Sequence, residues 1–213
     1  YLALRLLRQR GLRDDIKSRV SLRRFSDAII VNSTAVRDAL RESPWLDAGK
    51  VALIENGVPT DPVEPDRARD AVRRVGVPEE ARIVLGAGRL SKQKGFDVLI
   101  DAFARVQDRV PGVHLVLAGG GRDLQKLTER AAGLGIGDAV HLPGHVDDVR
   151  ALMAASDVYV LSSRNEGMAN TLLEAMSVAA PIVATDVSGT AEAVRPGREA
   201  LVVPPEDVDA LAT

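Results

Sequence analysis

The sequence predicts an α/β protein built around a parallel sheet, and three observations carry that expectation. Short apolar runs alternate with longer amphipathic stretches along most of the chain. The clearest amphipathic stretch, from about Gly95 to Val110, directly follows such a run and sets Phe96, Leu99, Ile100, Phe103 and Val106 on one helical face. The same strand–loop–helix order recurs from Asp157 to Met176. Strands are expected at Ala28–Asn32, Val51–Glu55, Arg82–Ala87, Val113–Ala118, Ala139–Leu142, Val158–Leu161, Pro181–Thr185 and Ala200–Val203.

From the N-terminus onward, the first residues carry Arg5, Arg8, Arg10, Arg13, Lys17, Arg19, Arg23 and Arg24 against only Asp14 and Asp15. Such a segment reads either as a solvated helix face or as a basic surface that touches anionic lipid or guides an anionic substrate. Trp45, after Pro44, is expected to pack locally. Between Asn56 and Pro78 the composition shifts. Asn56-Gly57-Val58-Pro59, Asp61-Pro62 and Glu64-Pro65-Asp66 form a turn-rich connection, expected to be an inter-domain linker. Ahead of it lie too few strands for a sheet of their own. Residues 1–60 are therefore expected to be the tail of a preceding domain with its linker, and residues 61–213 a second domain truncated at its end. Pro111-Gly112 stops the Gly95 helix, and Asp147-Asp148 caps the helix that follows it in sequence. The chain opens on Tyr1 and closes at Thr213 inside the helical pattern Pro205–Leu211, so both ends are expected to be cuts.

Composition narrows the function classes. Lys and Arg number 28 against 30 Asp and Glu, a formal charge of -2, which gives no global pull toward nucleic acid. No apolar run approaches a membrane span. The absence of cysteine excludes disulfides and thiolate metal sites. His114, His141 and His145 do not follow a metal-ligand spacing, and the first two read as structural.

Two stretches carry chemistry. Arg164-Asn165-Glu166-Gly167-Met168-Ala169-Asn170-Thr171-Leu172-Leu173-Glu174 follows an apolar strand across Ser162-Ser163, so it lies at the carboxyl edge of the sheet, where open α/β sheets bind ligands. A fully helical spacing would hold Glu166 and Glu174 about 12 Å apart. Glycosidase carboxylates work at roughly 5–9.5 Å, so a hydrolytic pair is the poorer reading. Glu166 in the loop and Glu174 two turns into the helix would instead grip distant parts of one long ligand. Gly167 permits close approach, and the N–H groups of Met168 to Thr171 offer an anion site. A plain helix with two surface glutamates is the bland alternative. The second stretch, Gly86-Ala87-Gly88-Arg89-Leu90-Ser91-Lys92-Gln93-Lys94-Gly95, joins a strand to a helix and supplies a planar guanidinium and an ammonium for phosphate. It matches neither a dinucleotide fingerprint nor a P-loop.

Together, Arg89, Lys94, Glu166 and Glu174 in this order resemble the retaining glycosyltransferases of family 4. Phe25–Ser33 resembles the last strand of that family's acceptor domain, Ile54–Val58 its linker, Leu117–Gly121 its next glycine turn and His141–His145 its nucleobase loop. Asp186–Glu192 and Gly197–Val202 resemble the close of its donor domain. The resemblance implies a GT-B-type fold: a nearly complete Rossmann-like parallel-sheet domain plus the remnant of a second Rossmann-like domain. It implies sugar transfer, with retention of anomeric configuration, from a nucleotide-diphosphate sugar to an acceptor that is a glycan, a lipid or a small molecule. Arg89, Lys94 and Glu166 would be catalytic. Gly88, Gly144, His145, Gly167, Met168, Ala169, Asn170, Thr171 and Glu174 would bind the donor. No cofactor or metal and no nucleic-acid partner is expected. The expected location is the cytoplasm, with peripheral contact at the inner membrane face if the basic N-terminal segment binds lipid. The family's aromatic and second glycine after the first glutamate are replaced by Met168-Ala169-Asn170. The resemblance also calls for first-domain residues, a glycine-rich loop and a histidine, that this sequence lacks, so the chain alone is expected to be inactive. A GT-B sugar-nucleotide epimerase and a non-catalytic nucleotide-sugar-binding fragment are the rival readings.

Overall fold

The computed structural model describes residues 24–213. The basic segment before Arg24 lies outside them, and with it the expected membrane contact. The chain divides after Gly57 into two compact units.

In the first unit, β1 (Ile29–Val31) and β2 (Val51–Leu53) pair in parallel. The sequence reading gave this stretch too few strands for a sheet. The structure makes a two-stranded one, because α1 (Thr34–Arg41) and a short 3-10 turn form a crossover that returns the chain beside itself. Ser33 caps α1 by accepting from the Val36 N–H at 3.4 Å. Ile29, Val31, Leu40, Leu46 and Val51 form a small core, with Trp45 packed on it as expected.

The second unit contains β3 (Arg82–Ala87), β4 (Val113–Ala118), β5 (Val140–Gly144), β6 (Val158–Leu161), β7 (Ile182–Thr185) and β8 (Leu201–Val203). All pairings are parallel, in the order β5-β4-β3-β6-β7-β8. Its helices are α2 (Pro65–Arg74), α3 (Phe96–Gln107), α4 (Leu124–Gly133), α5 (Val149–Ala155), α6 (Asn170–Ser177), α7 (Ser188–Ala193) and α8 (Val208–Ala212). Side chains alternate across the sheet. Leu85, Val116, Tyr159 and Ala184 face α2, α5 and α6, while Leu115, Leu117 and Val160 face α3 and α4. Each fully buried leucine of this double core contributes about 1.5–3 kcal/mol of burial.

Three differences from the expected elements have local causes. The last helix begins at Val208 instead of Pro205, because Glu206 takes a positive φ of 64° and Asp207 caps the helix, accepting from the Ala210 N–H at 2.9 Å. β5 begins at Val140 and runs on to Gly144, two residues beyond the expected end at Leu142. Asp148 alone caps α5, accepting from the Ala151 N–H at 3.1 Å, while Asp147 points to solvent beside His145.

Candidate active site

The chain runs from β3 outward to β4 and β5, then crosses back to β6 and outward again through β7 and β8. The strand order therefore reverses between β3 and β6, and their carboxyl ends open the crevice where doubly wound sheets bind ligands. The loop after β3 carries Gly88, Arg89 and Lys94. The loop after β6 carries Glu166 and Gly167. Both sequence-predicted stretches thus reach one crevice from adjacent strands.

Their centre is an ion pair. Lys94 Nζ lies 2.6 Å from Glu166 Oε1, and the Ser163 hydroxyl donates to the same oxygen at 2.7 Å. The Glu166 side chain is only 3% exposed and that of Lys94 17%. The pair therefore matters to folding as well as to chemistry, because a buried carboxylate stripped of its cation is strongly destabilising. Gly88, at φ 148°, lets the lysine lie across it: a Cβ there would meet Lys94 Cε at 3.0 Å. The Glu166 carbonyl accepts from the Ser188 hydroxyl at 2.8 Å, which fastens the loop to α7. An ammonium has three donors, and Glu166 occupies one.

A second set of contacts binds the two loops together. The Arg164 N–H donates to the Gln93 carbonyl at 2.8 Å, Gln93 Nε2 to the Asn165 carbonyl at 2.9 Å, and the Ser162 hydroxyl to the Lys94 carbonyl at 2.9 Å. Arg164 forks onto both carboxylate oxygens of Asp97 at 2.7 and 2.9 Å, and also reaches the Lys92 carbonyl and Glu206 Oε1, each at 2.7 Å. Burial opposes ionisation of Asp97, but the Arg164 fork outweighs it and holds the carboxyl below its usual range. Gly95 has φ 64°, and a Cβ on it would drive into the Ser162 carbonyl oxygen. None of this second set was assigned a role from the sequence. Arg164 stood inside the motif, but its partners lie on two other segments, the β3 loop with the start of α3 and the turn after β8.

Glu174 is the fifth residue of α6, about one turn into the helix and not two. It is half-buried. Burial raises its pKa, partly offset by the charge of Arg150, which is itself held by the Asp61 carbonyl at 2.7 Å. Tyr159 lies buried beneath α6, donating to the Thr171 hydroxyl at 2.7 Å. Burial raises its pKa, and the negative charges of Glu166 and Glu174 raise it further, so both glutamates project their fields onto one point. Ala169 stands at the N-cap of α6 and offers its first amides no side-chain acceptor. Arg89 is exposed on the β3 loop, and Met168 and Thr171 are partly covered. Gly144 and His145 stand at the end of the edge strand β5, two strands from β3. Gly144 takes a positive φ of 79° and its carbonyl accepts from the Gly119 N–H at 2.7 Å, while the His145 ring is exposed.

His114 and His141, read as unrelated structural residues, prove to be partners. Their rings sit on neighbouring strands with Nδ1 of His114 2.9 Å from Nε2 of His141. Among the described residues no cluster of three or more His, Cys, Asp or Glu is placed to hold a metal ion. None of the described helices is long and apolar enough to cross a membrane.

Comparison with known proteins extends this geometry. The chain is 33% identical over 199 residues to the lipopolysaccharide core biosynthesis glycosyltransferase LpsE of Rhizobium meliloti, spanning 93% of this chain and 55% of that protein. It is 34% identical over 214 residues to mannosylfructose-phosphate synthase of Agrobacterium fabrum, spanning 94% and 47% respectively. The crystal structure of Anabaena HepE in complex with UDP-glucose superposes with a TM-score of 0.83 at 27% identity, over 94% of this chain and 56% of that one. The chain thus spans about half the length of the relatives it matches. Its architecture is the parallel α/β arrangement of GT-B glycosyltransferases. Residues 81–213, which hold the whole six-stranded sheet and both loops of the crevice, match the family described as glycosyl transferases group 1, and the chain belongs to that family.

Proposed function

We propose that this chain carries the donor half of a retaining family 4 glycosyltransferase that moves a sugar from a nucleoside-diphosphate sugar to an acceptor. The observation that carries the reading is the Lys94–Glu166 pair at the strand-order reversal, with Gly88 beneath the lysine. Residues 1–60 then belong to the acceptor-side domain and its linker, and residues 61–213 to the donor domain. The likeness to a structure that holds UDP-glucose supports a uridine nucleotide as the donor's leaving group.

As the glycosidic bond to phosphate breaks, negative charge builds on the departing diphosphate. Arg89 and Lys94 lie on the loop that faces this charge, and an ammonium already oriented by Glu166 stabilises it without reorganising. Glu166, fixed by Ser163 and Lys94, and the amides from Gly167 to Ala169 would hold the transferred sugar and its phosphate. Glu174 accepts from the ribose diol, while Asn170 and Thr171 open the helix toward the phosphate. The turn at Gly144 and His145 receives the base. Cationic side chains do the work given to a metal in other transferases, which supports a metal-free reaction, and dependence on a nucleotide-sugar donor favours the cytoplasm.

Titration calorimetry with UDP, in the presence and absence of a chelator, tests the reading. Saturable binding that is indifferent to the chelator is expected. Binding that disappears on chelation would move the site to a metal-dependent class.

A further inference from the structure

We infer that Arg164 is a positioning residue that fixes the separation of Lys94 and Glu166, acting as a strut between three loops of the donor site. The inference rests on the donor reading above and deepens it. Arg164 lies two residues before Glu166, and its side chain engages neither member of the ion pair but the segments around it. There its guanidinium meets the first turn of α3 at Asp97, the backbone of the β3 loop at Lys92, and the turn after β8 at Glu206. Lys92 and Asp97 bracket Lys94 on one loop, so a single planar group spans the base of the loop that presents the ammonium. The same residue's N–H holds Gln93, and the Gln93 side chain returns to Asn165. Lys94 and Glu166, 72 residues apart in sequence, are therefore held in register by these neighbouring contacts as well as through their own.

The geometry distinguishes a strut from a generic surface pair. The Arg164 side chain is 18% exposed, and its partner engages it with both oxygens, an arrangement that fixes direction as well as distance. The Asp97 and Glu206 contacts hold the guanidinium, which is always charged, in place. Glu206 reaches Arg164 from a backbone at positive φ, so the third loop is held in an uncommon conformation where it touches the strut. Lysine could replace the charge, but its point ammonium cannot address Asp97, the Lys92 carbonyl and Glu206 in one plane.

The test uses Arg164→Met, Arg164→Lys, Asp97→Asn and the double variant Arg164→Met/Asp97→Asn in the full-length enzyme. Turnover per folded molecule should fall about tenfold to hundredfold in Arg164→Met, since displacement by about an ångström at a reacting centre has that effect. UDP affinity should stay within about threefold, because the phosphate-binding groups themselves remain. Asp97→Asn should show the same split, and the double variant should be no worse than the more affected single one. Lysine at position 164 should not restore turnover. Unchanged turnover in the folded fraction, rescue by lysine, or additive effects of the two substitutions would each overturn the assignment. A crystal structure of Arg164→Met gives a readout independent of activity: the Lys94–Glu166 contact should lengthen beyond hydrogen-bond reach, and an unaltered contact also sinks the proposal. Failure of the unaltered protein to bind UDP would count against the donor reading alone, with the crystallographic separation still deciding the role of Arg164.

Discussion

Glu166 and Glu174 belong to one strand–loop–helix unit, yet their surroundings divide them. Glu166 is almost fully covered, paired to Lys94 and hydrogen-bonded by Ser163. Glu174 is half-buried, and the charge of Arg150 only partly offsets the effect of that burial. The first environment fixes a carboxylate before any ligand arrives, which suits a group that must meet a developing charge distribution. The second leaves an acceptor with unspent capacity, which suits a contact made equally in the ground state and the transition state. Position in the motif would not have separated these roles.

The largest effect should come from breaking the fixed pair. Lys94→Ala is expected to lower turnover about a hundredfold to a thousandfold, the loss typical of one oriented donor at a developing oxyanion. It should also lower stability by about 2–3 kcal/mol, somewhat below the range for fully buried pairs because the lysine retains some exposure. Adding Glu166→Gln to Lys94→Ala should recover most of that stability and none of the turnover. If urea denaturation finds Lys94→Ala as stable as the parent, Glu166 is not the confined charge described here.

Next comes Gly95→Ala, which strains a left-handed backbone and pushes a methyl group against the Ser162 carbonyl. A destabilisation of about 2–3 kcal/mol is expected. Thermal unfolding checks it, and a variant that melts with the parent would mean that the two loops are not closely docked at Gly95.

The adaptable side of the comparison should respond differently. Glu174→Gln is expected to weaken UDP binding about tenfold to hundredfold, the range for a hydrogen bond to a charged group. Burial raises the folded-state pKa of Glu174, so the folded chain favours the protonated form and this carboxylate opposes folding at neutral pH. That opposition fades as pH falls through the raised pKa. Glu174→Gln should therefore leave stability at pH 7 equal or slightly improved. A clear loss of stability would place Glu174 with Glu166 as a fixed structural charge.

The smallest effect concerns the histidine pair remote from this comparison. Burial, assisted by the charge of His114, holds the pKa of His141 below its ordinary value of 6.5. The unfolded chain then takes up a proton near that pH that the folded chain resists, so stability is lost as pH falls below 6.5. His141→Gln should flatten the slope of stability against pH over that interval. An unchanged slope would show that the pair does not resist protonation.

The strands were readable in outline because a sheet covered on both faces demands continuous apolar runs, as at Arg82–Ala87 and Val113–Ala118, where the observed bounds match the expected ones. Ends governed by backbone conformation were less readable: nothing in Pro205-Glu206-Asp207 reveals that Glu206 adopts a positive φ. In the site, Lys94 and Glu166 were legible as functional candidates because glycine-flanked loops after strands mark the carboxyl edge of a sheet. Their direct contact was not legible, since it depends on β6 returning beside β3. Arg164 escaped for a related reason. Its meaning lies in Asp97 and Glu206, and sequence distance hides both. The His114–His141 contact likewise follows from strand register, which spacing along the chain does not encode.

The reversal of strand order has a consequence for how the protein is made. β6 pairs with β3 although β4, β5 and their helices intervene along the chain, and the link between Ile83 and Asp157 closes 74 residues of chain. Such distant pairings are slow to form, because the entropy of closing the loop is spent before the contact rewards it. During synthesis from the N-terminus, β3 and β4 can dock while the Glu166 loop is still untranslated. The lysine is thus in place before its carboxylate exists, and the crevice is among the last features to appear as the nascent chain condenses.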